Sequence, residues 1–336
     1  MKLRVGLVGL GDAWQRRHAP ALRALADRFE VRAVCEQVGH RAEQAAAELS
    51  AVAVDGYRAL ALREDIDAVL ILSPQWFGAL PILAACESGK AVYCAAGLDL
   101  EPEEALLVKE RVDQSGIAFV AEFPRRHAPA TVRLKELIAT RLGPPQLLFC
   151  HERSFAETAN SLRPGFSPQQ SAIRDLIELV DWCRYVVDRE ASQVTGVFCP
   201  AGCAPGEEAY QMMSLDFSDP QSPGTGPIAQ ISCGRYFPAG WQEAMTYRPL
   251  AALQVACEHG VAFVDLPSTL VWFDEAGRHQ ESLDSERPVG EQLLTQFHRA
   301  VTSLVRKTRD LEDAYRVLFI VDQARRSHRE GRRIEL

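Results

Sequence analysis

The sequence predicts an α/β protein of two domains: an N-terminal doubly wound parallel sheet, and a C-terminal α+β domain with an open, mostly antiparallel sheet. In the first third of the chain, short apolar runs alternate with helical patterns, as in parallel strands joined by crossover helices. From about residue 124, strand-like runs follow one another with few helices between them, which indicates an antiparallel sheet. The length of 336 residues suits two domains or one large one.

The first domain, residues 1–122, contains strands that read as nearly continuous apolar runs: residues 3–8, 30–35, 68–72, 91–94 and 117–121. Such strands are buried on both faces of a parallel sheet. Helical patterns lie between them, at residues 17–29, 40–49, 77–88 and 102–115. The last pattern begins at Pro102, has glutamates in its first turn and stops at Gly116, which are signals for the two ends of a helix.

The second domain, residues 123–336, begins with a helical pattern at 128–141 and a strand at 146–151. A longer helix is predicted at residues 171–187. The strand-like pieces that follow are residues 193–198, 209–217, 228–233, 251–258, 261–265 and 269–273. Two helices are predicted after them, near residues 290–307 and 310–330.

Composition and charge exclude several classes of protein. The chain carries 37 Lys and Arg against 45 Asp and Glu, a formal net charge of −8, and this acidic balance argues against nucleic-acid binding, which requires a clustered basic face. No run approaches the roughly 18 apolar residues of a transmembrane helix, so no membrane partner is expected. The nine scattered cysteines predict buried thiols in a reduced, cytoplasmic protein. Cys199 and Cys203 have no second pair or nearby histidine, so no metal site is expected.

Two glycines mark a candidate dinucleotide site. Gly9 and Gly11 follow the first predicted strand, where glycine allows a tight turn and lets backbone N–H groups approach a pyrophosphate. Glu36 ends the second strand, and a carboxylate there accepts hydrogen bonds from ribose hydroxyls and repels a 2′-phosphate. This favours NAD over NADP, but the nearby Arg41 keeps NADP possible.

The third glycine of the usual motif is missing, because Asp12, Ala13 and Trp14 occupy that stretch. Two glycines alone also suit a purely structural turn. The strand–loop–helix context and the acidic residue after it favour dinucleotide binding over that alternative.

Several segments together resemble the Gfo/Idh/MocA family of NAD(P)-dependent oxidoreductases. They are residues 5–11 with His18, then 33–36, 65–74, 88–94, 125–129, 178–185, 313–318 and 331–336. The resemblance implies an N-terminal Rossmann domain, a C-terminal α/β domain with an open sheet, and small-molecule substrates that are mostly sugars, inositols or related polyols. We also expect a homodimer or homotetramer that assembles through the C-terminal sheet.

The resemblance also implies which residues bind the cofactor, NAD or NADP. The expected contacts are the glycine loop, the end of the second strand, and the loops after the third and fourth strands. By position these residues are Gly9, Gly11, Asp12, Ala13, Trp14, Glu36, Arg41, Ser73, Pro74, Gln75, Cys94 and Ala95.

The chain departs from the family where the family's chemistry lies. Family members carry Glu-Lys-Pro after the fourth strand, and the lysine helps to move the proton of the reacting hydroxyl; this chain has Ala95, Ala96 and Gly97. The methyl group of Ala96 neither donates a proton nor polarises a carbonyl. The Asn and His that usually follow the proline of the third-strand loop read Gln75 and Gly78.

A helix of the second domain carries further substitutions. The family's Asp, His and Asp correspond to Arg174, Glu178 and Asp181, so only the last is kept. Helical spacing places these three residues on one face together with Tyr185. This face is either solvated surface held by i,i+4 pairs or a polar face that meets the substrate.

Two histidines complete the catalytic candidates, which are Asp181, Glu178, Arg174, His127 and His151. His127 lies at the start of the first helix of the second domain. His151 and Arg153 alternate along a strand, so both side chains face one side of the sheet. Either histidine, Tyr185 or water is a candidate to supply the proton that the missing lysine would move.

The residues leave three functions open. The first is an NAD(P)-dependent oxidoreductase that transfers hydride to or from a sugar, polyol or related carbonyl compound. The second is a cofactor-binding pseudoenzyme that acts as a sensor, because the usual lysine is Ala96. The third is a structural subunit that pairs with a catalytic relative. The first two functions are favoured by the retained cofactor-site residues Gly9, Gly11, Glu36 and Pro74. The resemblance to a family of oxidoreductases favours the first.

Overall fold

The computed structural model describes residues 1–95, 97–98, 100–155, 168–200, 208–222, 224–237, 240–247, 250–283, 287–303 and 309–336. The chain forms two compact units. Unit 1 combines Met1–Pro124 with Arg287–Arg316, and unit 2 combines Arg125–Glu286 with Val317–Leu336. Within the described ranges, no helix is both long and apolar enough to cross a membrane.

Unit 1 is built on a six-stranded sheet whose paired strands are all parallel. Its strands are β1 (Leu3–Val8), β2 (Phe29–Cys35), β3 (Val52–Ala53), β4 (Ala68–Ile71), β5 (Ala91–Cys94) and β6 (Phe119–Ala121). Their order across the sheet, β3-β2-β1-β4-β5-β6, is that of a doubly wound dinucleotide-binding fold. The predicted fold class of this half is confirmed. The two-residue strand β3 escaped prediction because it is exposed and too short to show a pattern.

The helices of both units are α1 (Ala19–Ala24), α2 (Gly39–Leu49), α3 (Tyr57–Ala61), α4 (Pro74–Phe77), α5 (Leu80–Glu87), α6 (Pro102–Ser115), α7 (Pro129–Leu137), α8 (Pro168–Val187), α9 (Gln242–Thr246), α10 (Val289–Thr302) and α11 (Asp310–Glu330). A π-helical turn, Trp14–His18, precedes α1. Helix α6 has the predicted bounds. Its first turn carries Glu103 and Glu104, whose negative charges are stabilised by the positive end of the helix dipole. Gly116 ends the helix in the left-handed conformation.

Helix α10 belongs to unit 1, whereas the sequence placed these residues in the second domain. Leu293, Leu294 and Phe297 are buried in the same hydrophobic cluster as β1 and β2. The ring of Phe297 stacks on Phe29 with 6.5 Å between centroids. Gly290 permits the close approach, because a Cβ there would lie 2.8 Å from the carbonyl oxygen of Arg17. The chain thus returns to its first unit, which local sequence patterns do not reveal.

Unit 2 contains a nine-stranded mixed sheet. Its strands are β7 (Pro145–Phe155), β8 (Gln193–Pro200), β9 (Glu208–Asp216), β10 (Ile228–Phe237), β11 (Leu253–Cys257), β12 (Gly260–Asp265), β13 (Thr269–Asp274), β14 (Gly277–Ser282) and β15 (Ile334–Glu335). The order is β14-β13-β12-β11-β7-β10-β9-β8-β15, and every pair is antiparallel except β7 with β10. The prediction of an open, mostly antiparallel sheet is confirmed. The polar strand β14 and the short β15 were not predicted.

Helix α8 covers one face of this sheet over β7 and β10. Its residues Leu176, Leu179, Val180 and Trp182 are fully buried. Burial of each such side chain stabilises the folded protein by about 1.5–3 kcal/mol. The apolar side of α8 therefore determines how the helix is oriented on the sheet.

Candidate functional site

The glycine loop of unit 1 lies tightly against the end of β4. Gly9 and Gly11 have φ values of +69° and +64°, a conformation that favours glycine. A Cβ on Gly11 would lie 2.2 Å from the carbonyl oxygen of Leu72, and one on Gly9 would lie 2.5 Å from the Cβ of Ser73. Both positions therefore require glycine for packing as well as for conformation.

Glu36 is held in a fixed position beside this loop. Its Oε2 accepts a hydrogen bond from the backbone N–H of Leu10 at 2.8 Å, and its Oε1 accepts one from the N–H of Gln37 at 2.9 Å. The N–H of Gly9 donates to the carbonyl oxygen of Cys35 at 2.8 Å. Each carboxylate oxygen keeps acceptor capacity, so the side chain can also bind a hydroxyl group.

The backbone of the loop offers free donors. The N–H groups of Gly11 and Ala13 have no hydrogen-bond acceptor among the residues that the structure describes. Asp12 is exposed between them. Trp14, at the position of the missing third glycine, is only 4% exposed and belongs to the hydrophobic core of unit 1. The indole of Trp14 packs in this core and not in the loop. The amides of Gly11 and Ala13, which lack an acceptor among the described residues, suit a pyrophosphate.

The neighbouring strand ends carry the other predicted cofactor residues. Ser73 and Pro74 are buried where β4 passes into α4, and the backbone of Gln75 lies within α4. Cys94 ends β5, and its thiol donates to the carbonyl oxygen of Gly97 at 3.1 Å. Ala95 follows, also buried. Since β1, β4 and β5 are adjacent parallel strands, their carboxyl ends share one edge of the sheet.

Two further positions that the sequence singled out are Arg41 and Ala96. Arg41 is exposed in the first turn of α2 and makes no ion pair with the described residues. Ala96, at the position of the usual lysine, lies outside the described residues.

Unit 2 carries a separate polar cluster, in which Arg125 bridges two carboxylates. Its Nη2 lies 2.5 Å from Oε2 of Glu152, and its Nε donates to Oε2 of Glu178 at 3.2 Å. The guanidinium also lies over the ring of Trp182, 5.3 Å from the centroid. The indole N–H of Trp182 donates to the hydroxyl of Thr131 at 2.9 Å. This chain of contacts fixes the orientation of Arg125 and of both carboxylates.

A second ion pair adjoins the first. Nη2 of Arg235 donates to Oδ2 of Asp175 at 3.1 Å. Burial raises the pKa of Glu152, and burial likewise raises the pKa of Asp175. A carboxyl group with a raised pKa exchanges a proton more readily near neutral pH, and carboxylates accept hydrogen bonds from hydroxyl groups.

Asp181, in contrast, is locked in the interior. Its side chain is 1% exposed, and its two oxygens accept hydrogen bonds from Nε and Nη2 of Arg126. The Nε to Oδ2 distance is 2.8 Å. Arg126 also lies over the ring of Tyr185, 5.4 Å from its centroid. The contacts of Asp181 are those of a buried structural ion pair.

The remaining predicted residues are placed as follows. Arg174 is half-buried on α8, one residue before Asp175, and His127 is half-buried in the 3₁₀ turn that precedes α7. Nδ1 of His151 lies 2.8 Å from the hydroxyl of Ser232, and burial lowers the pKa of His151. Strand alternation points His151 to the sheet face opposite α8. The structure therefore joins Glu178 to Arg125 but separates His151 from them.

Sequence reasoning missed Glu152, Asp175 and Arg235. Strand alternation could have indicated Glu152. It lies two residues after the buried Cys150 on β7, so both side chains point to the same face of the sheet, the face that α8 covers. The two basic residues of the other face, His151 and Arg153, give the more conspicuous pattern in the sequence. The pairing of Asp175 with Arg235 joins residues far apart in the chain, and no local pattern indicates it.

The fold, the glycine loop of unit 1 and the polar cluster of unit 2 define a class of protein. Its members combine a Rossmann unit that suits a dinucleotide with a second α/β unit in the same chain. Residues 3–123 match the family model described as an oxidoreductase family with an NAD-binding Rossmann fold. This part of the chain is therefore similar to the NAD-binding domain of the Gfo/Idh/MocA oxidoreductases.

Known relatives are consistent with this class. The chain is 31% identical over 204 residues to the inositol 2-dehydrogenase of Cereibacter sphaeroides, which covers 59% of this chain and 58% of that protein. The match thus spans less than two thirds of the length of the curated relative.

Two solved structures share the fold along the whole chain. A levoglucosan dehydrogenase, solved in complex with NADH and levoglucosan, has a TM-score of 0.80 at 18% identity and covers 100% of this chain and 99% of that one. An NAD-binding oxidoreductase from Klebsiella pneumoniae gives the same TM-score, identity and coverage.

Proposed function

We propose that this protein is an NAD(P)-dependent oxidoreductase that transfers hydride between the nicotinamide and a sugar, polyol or related carbonyl compound. The observation that carries the proposal is the loop at Gly9 and Gly11, where side chains are sterically excluded and the amides of Gly11 and Ala13 have no acceptor among the described residues. The names of the relatives, an inositol 2-dehydrogenase and a levoglucosan dehydrogenase, support the polyhydroxylated substrate class.

The cofactor-binding residues that we propose lie mostly along one edge of the sheet. The loop amides bind the pyrophosphate, and Glu36 accepts the adenosine ribose hydroxyls. The other contacts come from Asp12, Trp14, Arg41, Ser73, Pro74, Gln75, Cys94 and Ala95. A bound nicotinamide supplies the hydride chemistry. Because Glu36 is fixed by two backbone amides, it cannot easily turn away from a 2′-phosphate, which favours NAD over NADP.

We further propose that unit 2 binds the substrate through the face of α8 that carries Arg174 and Glu178. Glu178 is 26% exposed, so it remains accessible to a hydroxyl group. It is our first candidate to take or give the proton that a lysine would otherwise move. Asp181, His127 and His151 remain candidates, although the burial of Asp181 and the position of His151 make them weaker ones.

Two measurements test this proposal. Titration with NADH and NADPH, followed by nicotinamide fluorescence, tests cofactor binding. A panel of inositols, aldoses and anhydrosugars with NAD, followed by the absorbance of reduced nicotinamide, tests turnover. Saturable binding together with turnover of at least one polyol is expected. Absence of dinucleotide binding would remove the basis of the proposal.

A second candidate function is a dinucleotide-binding sensor without turnover. Two observations favour it: Ala96 stands where the family has lysine, and Asp181 is tied to Arg126. Dinucleotide binding without turnover of any panel compound, unchanged in the variant Ala95→Glu/Ala96→Lys, would support the sensor. Turnover by the wild-type protein would exclude it.

We also propose a cytoplasmic homodimer or homotetramer that assembles through the open face of the unit 2 sheet. The described cysteines are all free thiols, as a reducing compartment requires. On that face Phe273 is 42% exposed and Val197 is also exposed, so both apolar side chains are available for a contact with a second copy. Light scattering of the wild type and of Phe273→Asp tests the assembly, and an unchanged mass in the variant would contradict this interface.

A further inference from the structure

We propose that Glu122 is a positioning residue for the dinucleotide site, because it ties the turn after the glycine loop to the ends of β5 and β6. The inference rests on the proposed function, since it concerns the cofactor site of that function. Neither the glycine motif nor the predicted cofactor residues include Glu122.

Glu122 follows β6 directly and is 1% exposed. Its Oε2 lies 2.8 Å from Nε2 of His18 and accepts a hydrogen bond from the hydroxyl of Tyr93 at 2.9 Å. Its Oε1 pairs with the guanidinium of Arg17. A single buried carboxylate thus has three side-chain partners.

The three partners belong to segments that border the cofactor site. Arg17 and His18 end the π-helical turn that begins at Trp14, immediately after the glycine loop. Tyr93 lies in β5, one residue before Cys94. The backbone N–H of Glu122 also donates to the carbonyl oxygen of Cys94 at 2.9 Å, which fixes β6 against the end of β5.

The turn needs such an anchor because its own hydrogen bonds are poorly arranged. π-Helical turns are rare, and many of them occur at functional sites. Here the carbonyl oxygen of Ala13 accepts from the N–H of Arg17 at 2.8 Å and from the N–H of His18 at 3.3 Å, so one acceptor serves two donors. The side chains of these same two residues bind Glu122. Their position, and with it the path of the chain from Ala13 onwards, depends on the carboxylate.

The carboxylate is ionised over the whole physiological range. Burial alone would raise its pKa, but the charges of His18 and Arg17 and the hydrogen bonds from His18 and Tyr93 lower the pKa of Glu122 to about 2. In Glu122→Gln, the neutral amide has the same shape, but its NH₂ group would point towards one of the donor groups that the carboxylate binds. It cannot accept from His18, Tyr93 and Arg17 together, so the turn must shift.

The experiment compares NADH affinity in the full-length wild type, Glu122→Gln and a matched control, Glu48→Gln. Glu48 lies in the same unit, pairs with Arg23 at 3.4 Å and is 41% exposed. We expect Glu48→Gln to bind NADH like the wild type, and Glu122→Gln to bind it about tenfold more weakly, the effect of losing one charge-assisted contact. Near-UV circular dichroism confirms that each variant is folded at the temperature of the titration.

A double-mutant cycle with Arg17→Gln separates the anchor from a general loss of stability. If Arg17 acts through Glu122, the effect of Arg17→Gln on the Kd for NADH largely disappears in the Glu122→Gln background. Additive effects, or a folded Glu122→Gln that binds NADH as the wild type does, would overturn the inference. If Glu122→Gln does not fold, Arg17→Gln alone decides: weaker binding supports the anchor and an unchanged Kd refutes it. Absence of NADH binding to the wild type would instead refute the proposed function.

Discussion

At the scale of single residues, Glu122 makes the stability of unit 1 depend on pH. Its pKa is about 2 in the folded protein against an ordinary value of 4.5, so its contribution is fully present above about pH 4.5 and is lost as pH falls towards 2. The shift corresponds to roughly 3 kcal/mol of unfolding free energy. Urea unfolding at several pH values tests this. We expect the stability difference between wild type and Glu122→Gln to shrink below pH 4.5, and a difference that does not change with pH would contradict it.

Gly11 offers a second test at this scale. A Cβ there would lie 2.2 Å from the carbonyl oxygen of Leu72, in addition to the cost of a positive φ. Gly11→Ala should destabilise the protein by about 2–4 kcal/mol and abolish NADH binding.

Gly89 is the matched control for Gly11. Its φ is +63°, and a Cβ there would contact nothing within 4 Å. Gly89→Ala should therefore cost only about 1 kcal/mol, from the backbone conformation, and leave the Kd for NADH unchanged. Equal effects of the two substitutions in thermal unfolding and titration would show that the close contact at Gly11 has no importance.

At the scale of elements, two of the three carboxylates on α8 have different expected roles. Asp181 is buried and paired with Arg126, so Asp181→Asn should lower the unfolding free energy by about 3–5 kcal/mol. Glu178 is partly exposed, and Glu178→Gln should change stability by less than about 1 kcal/mol but reduce kcat for any polyol that the wild type turns over. Chemical denaturation and steady-state kinetics of both variants test this. A stable Asp181→Asn that has lost turnover would reverse the two roles.

Elements with strong local signals could be predicted from sequence. Helix α6 has a proline at its start and a glycine at its end, and the buried strands β1, β4 and β5 read as apolar runs. The exposed, polar strand β14 has no apolar pattern and was missed. The packing of α10 into unit 1 was missed for a different reason, because an amphipathic helix shows that it has a buried face but not which sheet covers that face.

Part of the candidate site could be predicted from sequence and part could not. The glycine loop and Glu36 follow from the spacing of strand, loop and helix. The partners of Glu122 and of Arg125 come from segments distant in sequence, and ion pairs of this kind leave no periodic signal. The sequence therefore indicated the glycine loop and its acidic neighbour better than the residues that hold the turn after the loop in place.

At the scale of the whole molecule, the account depends on unit 1 being a working dinucleotide site in a chain that lacks the usual lysine. Isothermal titration calorimetry of the wild-type protein with NAD and NADP tests this most directly. We predict one saturable site per chain, with NAD bound more tightly than NADP because Glu36 is fixed beside the loop. Absence of saturable binding for both dinucleotides, in protein shown to be folded, would contradict the account.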